Sequence, residues 1–113
     1  MNNIRYALDE YRQVVVTDKY YRKSLENAKD WRVDETFITS PSGDEHRIST
    51  VFLGTDHSHV TYGPPVLFET MVFCDDDKYN NHYERCCTWE GAEAMHRDMV
   101  RLIEGHINEE ESK

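Results

Sequence analysis

No apolar run in this chain approaches the ~18 residues that a membrane-crossing helix needs. The opening Met1-Asn-Asn-Ile-Arg-Tyr6 lacks the unbroken apolar stretch of a signal peptide, so the expected protein is soluble, not exported and cytoplasmic. Cysteine is scarce: Cys74, Cys86 and Cys87 are an odd number and two are adjacent, which argues against a stapling disulfide framework and for reduced thiols in a cytosol. Cations are short as well, with 13 Lys and Arg against 22 Asp and Glu, a net charge of -9. The deficit is uneven: residues 1–33 carry seven basic and five acidic groups, whereas residues 34–113 carry six and seventeen. A field of that sign repels nucleic acid, so no nucleic-acid partner is expected, and it attracts basic protein surfaces. A glycine-rich phosphate loop and a serine in a nucleophile elbow are both missing. No cofactor is expected.

What is present reads as one domain over residues 1–113, long enough to bury roughly two-thirds of the surface that its unfolded form exposes. Ile4 to Leu8 and Tyr11 to Thr17 read as a hairpin around Asp9-Glu10, because Val14-Val-Val-Thr17 stacks β-branched residues; Ile4, Leu8, Tyr11 and Val15 also fit a helical stripe. Thr17 or Asp18 then caps a helix to about Asp30, with Tyr21, Leu25 and Ala28 inward. Val33 to Thr39 and His46 to Gly54 form a hairpin about the turn Ser40-Pro-Ser-Gly-Asp44. Val66 to Cys74 is apolar on both faces, Val66, Phe68, Val72 and Cys74 on one and Leu67, Met71 and Phe73 on the other, which predicts a central strand. His82 to Cys87 returns beside it after the polar turn 75–81.

Thr88 is a plausible cap for the last helix, in which Trp89, Ala92, His96, Met99, Val100, Ile103 and Ile107 recur at three and four residues. Residues 108–113 have nothing to bury and should form a frayed acidic tail. The expected fold is α+β, a mainly antiparallel sheet of four to six strands with two helices, the C-terminal helix packed across one face.

Ser49-Thr-Val-Phe-Leu-Gly-Thr-Asp-His57, Pro64-Pro-Val-Leu-Phe-Glu-Thr-Met-Val-Phe73 and Thr88-Trp-Glu-Gly-Ala92 with His96 together resemble a family of small proteins encoded by bacteriophages and prophages. The resemblance covers residues 49–96 and departs from the family at Gly91, where Glu is frequent, and at Cys74-Asp-Asp-Asp77, where the family has a glycine-containing loop. It implies a phage setting and a host cytosol, and no assigned activity.

Two sets of residues are candidates for chemistry. Asp56, His57 and His59 share a loop, and a His-x-His pair with a carboxylate can serve a divalent ion; solvent-facing turn residues are the preferred alternative. Glu69 sits among Leu67, Met71 and Phe73, and on a face packed against the last helix it would be a buried acid matched by His96 or Arg47. Glu69 with His96 could act as a general acid and base, although a satisfied polar contact fixing helix on sheet is favoured. Cys86 and Cys87 should point to opposite faces, neither with an activating base. The preferred function is non-enzymatic: a small acidic accessory protein that binds a host or phage protein, an inhibitor of host defence or a mimic of nucleic-acid charge among the specialised forms. The alternative is a metal-assisted hydrolase using Asp56, His57, Glu69 and His96. Oligomeric state is open.

Overall fold

The computed structural model describes residues 5–8, 11–17, 32–58, 63–75, 79 and 82–111. Two short strands, β1 (Arg5–Leu8) and β2 (Val14–Thr17), pair antiparallel, so the hairpin and not the helical stripe is formed at the amino end. Its connection passes through Arg12 in the left-handed region at φ 62°, and the Arg12 guanidinium lies 4.7 Å from the centroid of the Trp89 ring. Four further strands, β3 (Arg32–Thr39), β4 (Glu45–Phe52), β5 (Phe68–Cys74) and β6 (Tyr83–Cys86), form an antiparallel meander in that order. The β3–β4 turn uses Gly43 at φ 95°, where a side chain is unwelcome. As its two apolar faces predict, β5 lies inside the sheet, between β4 and β6.

One helix is present among the described residues, α1 (Trp89–Glu111), packed on one face of this sheet. The second expected helix, capped by Thr17 or Asp18 and running to about Asp30, falls outside the described residues, apart from Thr17 at the end of β2. The Thr88 hydroxyl accepts the Gly91 N–H at 3.0 Å, which fulfils the predicted cap. Helical geometry continues to Glu111, into the expected frayed tail of residues 108–113, and Ile107, the last member of the apolar stripe, is buried. The last turn of α1 carries no basic residue to offset the helix dipole, and the buried Ile107 anchors it to the core.

Strand parity decides what meets the helix. Ile48, Thr50 and Phe52 of β4 and Phe68, Thr70, Val72 and Cys74 of β5 all lie inward and buried. They form two apolar clusters. Ile48, Val72 and Cys74 pack with Tyr79, Met99, Ile103 and Ile107; Phe52, Leu67 and Phe68 pack with Trp89 and Ala92. Tyr6, Leu8 and Val14 join the second cluster, which docks the hairpin on the end of the core. Each fully buried side chain of this size contributes about 1.5 to 3 kcal/mol. Val51 belongs to the opposite face with Glu69, its register partner.

The opposite face has no helix on it among the described residues. Phe37, Phe73 and Tyr83 remain 55%, 43% and 58% exposed there. Arg47 crosses this face to Glu35 at 2.7 Å and lies 5.3 Å from the Phe73 ring.

Candidate functional site

The helix stripe places His96 between the two apolar clusters, where three strands each present a threonine or an acid in phase with the inward apolar positions. Its imidazole is 1% exposed. Nδ1 is 2.7 Å from the Thr50 hydroxyl, which in turn is 2.5 Å from that of Thr70, and Nε2 is 2.8 Å from the Thr36 hydroxyl. An Asp34 carboxylate oxygen lies 3.8 Å from Nε2. A carboxylate on that side favours a proton on Nε2, so Nε2–H donates to Thr36 while Nδ1 accepts from Thr50, whose oxygen accepts from Thr70. Burial drives the His96 pKa below its ordinary 6.5, and the Asp34 charge only partly opposes this. The imidazole is therefore held neutral.

This arrangement contains a threonine, a histidine and an aspartate without forming a nucleophilic triad. In a triad the carboxylate orients one ring nitrogen while the other takes the nucleophile's proton. Here Asp34 and Thr36 share Nε2, and Thr50 on Nδ1 is fully buried. The network is a satisfied polar layer that sets helix against sheet, and substrate cannot reach its centre.

Glu69 is not part of it. Because it alternates with the inward Phe68 and Thr70, it lies on the face opposite α1 and accepts from Arg85 Nε at 2.7 Å. The expected partners are both engaged elsewhere, His96 with Thr36 and Thr50 and Arg47 with Glu35. The sheet separates Glu69 from His96, so the acid and base pair is not brought together.

Asp56 organises the loop after β4. Its Oδ1 accepts the N–H of Ser58 and of Val66, both at 2.8 Å, and these bonds, the Ser58 one foremost, lower its pKa below 3.8. His57 is exposed, its Nε2 3.4 Å from the Thr55 hydroxyl, and His59 lies outside the described residues. Among the described residues no group of three His, Cys, Asp or Glu side chains is placed to hold a metal ion.

A second histidine assembly went unrecognised in the sequence. Tyr79 is stacked on His106 at 5.4 Å between centroids and meets His46 and His82 edge-on at 5.6 and 5.7 Å. The Nδ1 atoms of His46 and His82 are buried without a hydrogen-bond partner. The three histidines come from β4, the residue before β6, and α1, so only the closed fold joins them. Thr36, Thr50 and Thr70 were missed too, although Thr50 and Thr70 did leave a signal: each stands at a position where alternation demands an inward apolar residue.

Cys74 is buried, and the Cys86 thiol, raised in pKa chiefly by burial, is directed at the Thr88 carbonyl at 3.5 Å. Cys86 borders an open groove of about 450 Å³ between β6 and α1. Its strand wall is Glu84, Arg85 and Cys86, with the Arg85 guanidinium held by Glu69; the helix side includes Ala94, Met95, Asp98 and Leu102. No family model, curated protein or solved structure matches the chain.

Proposed function

We propose that this chain is a small acidic accessory protein, of phage type and acting in a host cytosol, that binds a basic protein of the host or the phage. The observation that carries the proposal is the charge of α1: seven carboxylates stand against two arginines in Trp89–Glu111, a net -5 on one helix whose apolar stripe is spent on the core. Such a surface steers basic partners in and turns phosphate backbones away. Mimicry of nucleic-acid charge, to block a DNA-handling or defence protein, is a specialised form of the same function. Reduced thiols fit the cytosol. The hydrolase alternative receives no support from the geometry, since Glu69 and His96 occupy opposite faces and Asp56 is committed to backbone amides.

The test is capture of partners from host lysate on immobilised protein, beside a variant carrying Glu90→Lys, Glu93→Lys and Glu104→Lys at exposed positions. Captured proteins should be basic, released by added salt and lost with the triple variant. Retention of the same partners by the variant would remove the electrostatic basis of the proposal.

A further inference from the structure

Strand β6 is the edge of the sheet. It pairs with β5 on one side, and among the described residues nothing pairs with the other, so its outward backbone groups form a template for another strand. The register Thr70↔Glu84 and Phe68↔Cys86 puts Glu84 and Cys86 on the helix side. The groove beside them therefore occupies the space into which a fifth strand would send every second side chain, beneath α1. Its floor is apolar, and Leu102, pointing to it from the helix, is 45% exposed. Glu84 and Asp98 face the same groove from its two walls, and neither takes part in an ion pair among the described residues.

We propose, resting on the binding function above, that this edge captures an extended segment of a basic protein by strand addition. Main-chain bonds to β6 supply affinity, and the groove selects an apolar residue, a Lys or Arg, and a second apolar residue at alternate positions. The cation is the one that Glu84 and Asp98 receive. A second copy of this chain does not suit the site. Antiparallel pairing of two β6 edges centred on Glu84 or Arg85 opposes like charges directly, and pairing in any register adds a second helix of net charge -5 to the same sheet face or its neighbour.

The probe is a fluorescein-labelled heptapeptide, Thr-Val-Thr-Lys-Thr-Val-Thr, titrated against the full chain by fluorescence anisotropy at low ionic strength. Saturable binding is expected, weakened at least about tenfold by Asp98→Lys, by Leu102→Asp and by N-methylation of the peptide backbone on its pairing edge. Both substituted positions are exposed, and an unchanged melting temperature verifies folding. No saturation up to about 1 mM peptide, or binding indifferent to Asp98→Lys or N-methylation, overturns strand addition. Sedimentation showing a dimer that Glu84→Arg dissociates overturns the basic partner, because a second copy then fills the edge. The lysate experiment with the triple helix variant leaves Glu84, Asp98 and Leu102 intact, so basic partners captured there while the peptide fails would preserve the binding function and dismiss only this edge.

Discussion

His96 Nδ1 and the Thr50 hydroxyl meet at 2.7 Å across 46 residues of sequence, inside a core from which both side chains are essentially closed to solvent. The contact is the centre of a chain that also uses Thr70 and Thr36, and every strand from β3 to β5 contributes one hydroxyl to it. Removing one member leaves its neighbours buried and unmatched. Thr50→Val, which keeps the shape, should therefore cost about 1 to 3 kcal/mol, and His96→Ala, which also leaves a cavity, about 2 to 4 kcal/mol, both read from urea unfolding. Near-wild-type stability of both variants would mean that the network does not form.

Acid should weaken the fold through His96. Its folded pKa lies below 6.5, so as pH falls from 6.5 the unfolded chain binds a proton that the folded chain refuses. The stability that neutral His96 supports is complete above that value and is lost downward, at up to about 1.4 kcal/mol per pH unit until the lowered folded pKa is reached. His96→Gln should be less stable at pH 8 and show a shallower decline between pH 6.5 and 5. The two proteins differ only at residue 96, so the difference between the two pH profiles isolates His96. Parallel profiles would contradict a buried neutral imidazole.

Glu69→Gln should have little effect. The Glu69 pair with Arg85 sits at the partly exposed edge of the sheet, where such pairs contribute about 0 to 1 kcal/mol. A loss of about 1 to 3 kcal/mol, expected for a charged hydrogen bond in a buried site, would place Glu69 where the structure does not. Thermal unfolding of the single variant distinguishes the two.

Along α1 the effect of a new carboxylate should follow the apolar stripe. Ile103→Asp or Met99→Asp buries an unpaired charge and should unfold the domain, since the cost of several kcal/mol is comparable to the whole stability. Leu102→Asp, one residue from Ile103 but turned to the groove, should change stability by less than about 0.5 kcal/mol. Circular dichroism melts of the three variants test the orientation of the helix directly.

The sequence by itself determined the elements. Period-two runs bounded by proline and glycine predicted the β3–β4 hairpin and the inner position of β5, and a stripe at three and four residues with a threonine before it predicted α1 and its cap. Charge composition predicted an acidic surface for the same reason: it depends on which residues are present, not on where they meet. Only tertiary structure decided which face of β5 the helix covers. Phe68, Val72 and Cys74 compete there with Met71 and Phe73, and hydrophobicity alone does not rank two apolar faces. The polar register settles the choice, because covering the other face would leave His96 without Thr50 and bury Glu69 away from water. The same dependence hid the Tyr79 cluster and the groove beside β6. A residue's partners across a sheet are set by strand order and register, and neither is written in the local pattern.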